Sequence, residues 1–272
     1  MKHASRIYLC IVFAVLYIPI LTLILFSFNS SNSTASFTGF SLMWYGELFK
    51  SPDTFIALRN SLILAVSSSV ISTVIGTAAA EGIYKLKNKY VKSAINSVTN
   101  IPMMNPDIVT GMSMMLFFVL VAAILGISYE NIGFFAMLIS HITFCLPYVI
   151  LSVLPRINEL GDSLSEAAMD LGCTPLQAFF KVKLPNIMPG VLSGMVMAFT
   201  MSLDDFVISY FVGSSNFQTL PLLIYSMTKR KVTPDMYALS SLIIVTVFVL
   251  LVLSNIKSGK KATDTQKRRK TK

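Results

Sequence analysis

Charge is scarce in this sequence. Asp, Glu, Lys and Arg together make up 13% of its 272 residues, while 54% are hydrophobic. A soluble domain of this length would lack the polar side chains to cover its surface, so the composition points to the membrane. Cysteine is also sparse. Cys10, Cys145 and Cys173 stand at no spacing that suggests a disulfide framework or a metal site. The only histidines are His3 and His141. No H-E-x-x-H occurs, and no Ser/His/Asp constellation stands out. A G-x-x-x-x-G-K-[ST] phosphate loop is absent too, so the chain does not bind ATP in that way. These absences argue against an enzyme and against a cofactor held by this chain. If its work is driven by ATP, a separate polypeptide hydrolyses it.

What is present is a series of long apolar runs, several exceeding the ~18 residues that cross a bilayer as a helix. The expected architecture is an all-α membrane protein with six transmembrane helices, at about residues 7–28, 60–84, 101–125, 132–154, 187–211 and 235–256. Between the first two spans, NSSNSTASF reads as a flexible loop and Trp44-Tyr45 as interfacial aromatics. Lys85, Lys87, Lys89 and Lys92 make a lysine-rich loop after the second span. Pro155-Arg156 ends the fourth. Residues 219–227 form a short apolar piece that re-enters the membrane face without crossing, and residues 257–272 form a basic tail.

Six spans place both termini on one side. Seventeen Lys and Arg residues fall on the side of the termini and five on the other, so the termini are expected to be cytoplasmic. Lys229-Arg230-Lys231 is the exception to that division. The net charge of +9 is distributed as an orientation signal and a lipid-facing tail, with no nucleic-acid partner implied.

Between the fourth and fifth spans lies the most punctuated stretch, SLSEAAMDLGCTPLQAFFKVKLP, residues 163–185. Ser163 and Glu166 have capping-box spacing, and Gly172 suits a left-handed helix end. Thr174 and Gln177 form a second box with Pro175 at the first helical position. Leu184-Pro185 is expected to stop the second helix. The spacing thus predicts two short helices hinged at a glycine, outside the membrane.

The letters E-A-A-x3-G-x9-V-x-L-P in this stretch resemble the loop of ABC importer permeases, with Val182 in place of Ile as the departure. That resemblance implies a type I ABC importer permease fold with a cytoplasmic coupling-helix loop over residues 155–186. It also implies that Glu166, Ala167, Ala168, Gly172, Leu184 and Pro185 belong to the segment that docks on an ATPase subunit. GFSLMWYGELF, MMNPDIV, SHITFCLPYVI, SLDDFVIS and LPLLIYSM resemble stretches of spermidine/putrescine importer permeases, nearly end to end. The family implies a heterodimer with a sister permease, two ABC ATPase subunits and an extracytoplasmic polyamine-binding protein.

Acidic residues in apolar runs are expensive, so each needs a reason. Asp204 and Asp205 fall in the fifth span, where consecutive helical positions differ by ~100°. One is therefore expected to line the translocation path while the other packs, and the S-x-D-D pattern inclines that assignment toward Asp205. Asp107, after Pro106, reads as a helix-start residue or a path residue. Tyr148, Phe206 and Tyr210 are candidate aromatic contributors, since carboxylates and aromatic faces both attract organic cations. Glu81 reads as facing headgroup water, and His141 as a hydrogen-bonded packing residue. Gly190 and Gly194 permit close helix packing. The rival cargoes are an amino acid, ferric iron or sulfate. A self-sufficient ion-coupled carrier is the rival of another class.

Overall fold

The computed structural model describes residues 2–31, 36–214, 217–229, 236–246 and 248. The described residues are almost wholly helical, as they must be where no water satisfies the backbone. In order, the helices are α1 (Lys2–Phe26), α2 (Met43–Lys50), α3 (Pro52–Lys85), α4 (Lys89–Met104), α5 (Asp107–Leu125), α6 (Tyr129–Leu160), α7 (Ser163–Asp170) and α8 (Pro175–Ala178). A π-helical turn over Phe179–Lys183 leads into α9 (Leu184–Asp204), followed by α10 (Val207–Val212) and α11 (Leu220–Thr228). A shorter apolar helix, α12, covers Met236–Thr246.

Among the described residues, five helical stretches are long and apolar enough to cross a membrane: Arg6–Phe26, α3, α5, α6 and Pro175–Asp204. The sixth expected span is represented by α12, and its continuation lies outside the described residues, as do the basic tail and Arg230-Lys231. Residues 219–227, expected to re-enter the membrane face, form most of α11.

Several expected boundaries move. The stretch after Lys87 is helical, because Asn88 caps α4 by accepting from the Tyr90 and Val91 amides. The third span starts at Asp107 rather than 101, since Asn105 precedes a proline and is pushed out of the helical region, with ψ 141°. Pro155 does not end α6, which runs on to Leu160 and stops at Gly161.

The chain divides into two compact units. One comprises Met1–Leu58 and Leu220–Lys272. Here Trp44 is buried, its indole N–H donating to the Asn29 carbonyl at 2.6 Å. Tyr45 bridges Ser27 (2.8 Å) and Ser241 (2.7 Å) by its hydroxyl. These bonds anchor the Trp-Tyr pair within this unit. Residues 32–35 of the expected flexible loop lie outside the described residues. Its flanks are pinned by the Asn29–Phe40 bridge and by the Thr38 amide on Asn29 Oδ1.

The other unit, Arg59–Thr219, is built around α6. Lipid tails are as apolar as leucine, so helices here associate by close packing of small residues. Gly190 and Gly194 supply this on α9. A Cβ at Gly190 would sit 2.9 Å from the Ser152 carbonyl, and one at Gly194 would sit 3.2 Å from Val149 Cα. On the other side, a Cβ at Gly76 of α3 would lie 2.7 Å from Val149 Cγ1. Val149 of α6 is thus gripped between glycines of two helices.

Candidate functional site

Two regions carry the candidate residues. The first is the segment from α7 through the π-helical turn. Gly172 adopts φ +88°, the left-handed region that glycine takes cheaply. The Cys173 amide donates to the Ala168 carbonyl and the Gly172 amide to that of Met169, the Schellman pattern that closes α7. The second capping box forms as its spacing predicts. Thr174 Oγ accepts from the Gln177 amide at 3.3 Å, and Gln177 Oε1 accepts from the Thr174 amide at 3.1 Å.

The first box does not form. Asp162 takes the N-cap position and Ser163 is already helical, while the Asp162 carboxylate turns to Lys183 Nζ at 3.5 Å. Pro185 does not stop the helix either. The π-helical turn before it routes the Leu184 amide to the Phe179 carbonyl. Asn186 Nδ2 donates to the Val182 carbonyl at 2.7 Å, and the proline, which has no amide to offer, falls at this change of register. Pro175–Asp204 therefore runs as one rod, with its first turns in the segment expected to couple to an ATPase.

The outer face of this segment is apolar and bare. Leu171 is 88% exposed, Leu176 71% and Phe180 60%. Glu166 and Ala167 are exposed beside them, while Ala168 is buried under the turn. Leu184 is half-buried and Pro185 exposed at the far end.

The second region is a break in the fifth span. Contrary to the continuous helix expected over 187–211, α9 stops at Asp204 and Asp205 is extended, with ψ 124°. The ~100° rule for neighbouring helical positions thus does not govern the pair. The Asp205 carboxylate accepts from the Ser209 amide at 2.8 Å and the Ile208 amide at 3.3 Å, starting α10. It also lies 3.5 Å from His141 Nε2, and its side chain is 7% exposed.

His141 is fully buried and its Nδ1 meets Ser202 Oγ at 2.8 Å. Ser68 of α3 donates to the same Ser202 oxygen at 2.8 Å. Ser209 Oγ lies 3.3 Å from Nε2. Ser202 Oγ thus joins Ser68 to one ring nitrogen of His141, and Asp205 and Ser209 lie at the other. His141 is the hydrogen-bonded packing residue the sequence suggests. Among the described residues, no group of His, Cys, Asp and Glu could hold a metal ion.

Asp204, by contrast, is exposed. Phe206 and Tyr210 follow it in sequence, their rings tilted by 36° with centroids 5.5 Å apart, and Tyr210 is exposed. Asp107 is exposed in the first turn of α5, and no side-chain bond caps that helix. It stands one turn before Gly111, where a Cβ would meet the Val207 carbonyl at 3.4 Å, so its face of α5 lies toward α10. Tyr148 is half-buried against Phe144 on α6.

Sequence reasoning missed one site residue and misread another. Glu81, expected to face headgroup water, is buried and pairs with Lys183 at 2.9 Å. Lys183 lies within the segment that carries the family letters, yet nothing in its local spacing announces that it points inward. A second missed signal was available. Asp205 before the apolar run VISYFV has the form of a helix-start residue.

Residues 72–257 match the family described as "Binding-protein-dependent transport system inner membrane component". The chain belongs to this family. The permease is 38% identical over 232 residues to the putrescine transport system permease protein PotI of Escherichia coli K12, covering 85% of this chain and 82% of PotI. It is also 38% identical over 253 residues to the spermidine/putrescine transport system permease protein PotC of Haemophilus influenzae, covering 93% and 95% of the two chains. Among solved structures, the permease resembles a chain of a bacterial ABC transporter involved in import of the acidic polysaccharide alginate. That match has a TM-score of 0.76 and 17% identity over 95% of both chains. A chain of the MetNI methionine ABC transporter in an inward-facing conformation gives a TM-score of 0.62 at 19% identity, covering 80% of this chain and 97% of that one. Both likenesses speak for the fold, which is that of type I ABC importer permeases. The permease is accordingly a multi-pass membrane transport subunit and not an enzyme.

Proposed function

We propose that the permease forms half of the translocation path of an ATP-driven polyamine importer. In this reading it pairs with a related sister permease and receives putrescine or spermidine from an extracytoplasmic binding protein. Two ATPase subunits meet the coupling segments from the cytoplasm, where both termini also lie. α12 and the residues after it complete the sixth span.

The observation that carries this reading is the 38% identity, over most of each chain, to both a putrescine permease and a spermidine/putrescine permease. The site chemistry agrees with it. Exposed Asp204 and Asp107 offer charge to an ammonium group, and Tyr210, Phe206 and Tyr148 offer aromatic faces. Of the two adjacent carboxylates, Asp204 is the one we assign to the path, with Asp205 holding the break from behind. The bare Leu171, Leu176 and Phe180 face suits the groove of an ATPase, because exposed apolar patches of this kind mark partner sites.

The test is uptake of labelled putrescine and spermidine by membranes that carry this permease with its partner subunits and no other polyamine importer. ATP-dependent uptake, displaced by unlabelled polyamine and indifferent to sulfate, ferric iron or amino acids, is expected. Displacement by one of those solutes in place of polyamine would assign the machine to another cargo. Uptake by the permease alone in liposomes would make it a self-sufficient carrier.

A further inference from the structure

Lys183 is the largest fully buried side chain among the described residues, at 2% exposure. Lysine is almost never enclosed to this extent without a partner. Here the ammonium meets Glu81 Oε2 at 2.9 Å and Oε1 at 3.0 Å. It also lies 4.4 Å from the ring centre of Tyr84 and 3.5 Å from Asp162 Oδ1. Lys85 adds a second cation to Glu81 at 3.1 Å. Two acids and two bases thus balance, with Lys183 at the centre.

The position of this cluster gives it meaning. Asp162 is the residue at which the chain enters the coupling segment, and Lys183 is the residue at which it leaves for α9. Glu81 and Tyr84 end α3. One ammonium therefore closes the base of the coupling segment and fastens it to a third element. A buried pair of this kind is a poor way to gain stability, since well-packed apolar residues serve as well or better. What it supplies is a fixed geometry that a greasy contact lacks.

Along α3, Ser68 stands thirteen positions before Glu81, about 20 Å up a rigid helix. Ser68 is the first member of the relay that ends on His141 and Asp205. The two buried polar clusters thus lie at the middle and at the C-terminal end of one helix.

We propose that Lys183 is a positioning residue that fastens the coupling helices to α3 through Glu81, so that ATPase-driven movement of the loop reaches the break at Asp205. The inference rests on the reading of the loop as the ATPase contact. Helix and relay move as one body only while the Lys183–Glu81 pair holds.

The test uses the whole importer in nanodiscs, with ATPase, sister permease and binding protein. Lys183→Met combined with Glu81→Gln removes the pair and leaves no lone buried charge. The ATPase should still co-purify with this double variant. Stimulation of ATP hydrolysis by polyamine-loaded binding protein, measured per assembled complex, should fall about fivefold or more, within the range of couplings between distant sites. Lys183→Arg, which keeps the cation, should restore most of the stimulation. Stimulation per complex within about twofold of the unaltered importer would overturn the proposal. So would a loss of uptake that only tracks a loss of assembled complex, because the pair would then be structural. If no ATPase co-purifies with the unaltered permease, the loop reading itself fails and the inference falls with it.

Discussion

The coupling segment and the break at Asp205 solve opposite problems. In the segment, apolar side chains such as Leu171 and Phe180 are left bare while the backbone closes on itself through Gly172 and Thr174. At the break, polar side chains are buried and complete one another across three helices, Ser68 of α3, His141 of α6 and Ser202 of α9. The first region is locally satisfied and externally incomplete. The second is locally broken and internally complete. A surface that docks on another chain needs the former, and a bend held steady inside a bundle needs the latter. The difference also separates how substitutions should act: in the segment through a partner, and at the break through the fold.

The largest effect is expected at Gly172. With φ +88°, a β-branched side chain there costs roughly 1–3 kcal/mol at the turn between two short helices. No Cβ neighbour lies within 4 Å, so backbone strain is the only local cost. Gly172→Val should abolish uptake and ATPase co-purification while membrane insertion persists. Near-normal uptake would show that the hinge is not needed.

Next come the two carboxylates, which the comparison splits. Asp205→Asn turns one of the two accepting oxygens into an NH2 donor, so one of the partners His141, Ile208 N–H and Ser209 N–H faces a donor, and yield of folded permease should fall, by about 1–3 kcal/mol in stability. Asp204→Asn removes an exposed charge and should leave assembly intact, with uptake per complex falling about tenfold, a loss near 1.4 kcal/mol. Labelled uptake and assembled complex, read in the same membranes, separate the two. If uptake after Asp204→Asn merely follows the amount of complex, Asp204 leaves the path.

Orientation is a smaller structural question with a clean measurement. In a background lacking Cys10, Cys145 and Cys173, Lys87→Cys should be protected from an impermeant thiol reagent added outside, and Ser36→Cys should react. The reverse pattern would place the coupling segment outside and break the reading of both regions.

How much of this was legible follows the same division. The glycine hinge and the Thr174 box were readable because each depends on residues at most a few positions apart, and the spacing of Gly190 and Gly194 announced a close approach without naming Ser152 and Val149 as its partners. The relay and the Lys183–Glu81 pair were not. Their members lie 61 and 102 positions apart, and an isolated Glu81 at a span's end looks the same whether it faces water or a lysine. The break was half legible. No proline or glycine marks SLDDFVIS, so periodicity favoured one helix, and only the helix-start preference of aspartate argued otherwise.

The smallest effect tests local legibility itself. Ser163 and Thr174 have the same capping-box spacing, yet only Thr174 makes its bonds, because Asp162 has taken the cap position before Ser163. An N-cap hydroxyl that accepts a backbone amide contributes about 1 kcal/mol, and one that does not contributes little. Thr174→Ala should therefore lower the local stability of the coupling segment, read as faster backbone amide exchange over residues 176–180. The change should be about fivefold, the equivalent of that energy, provided opening is local and exchange reports the open population. Ser163→Ala should leave exchange over 164–170 unchanged. Equal effects at the two positions would mean that the box at Ser163 forms in the membrane-embedded importer. Asp162 would then have to give up the cap position, and with it the 3.5 Å contact to Lys183.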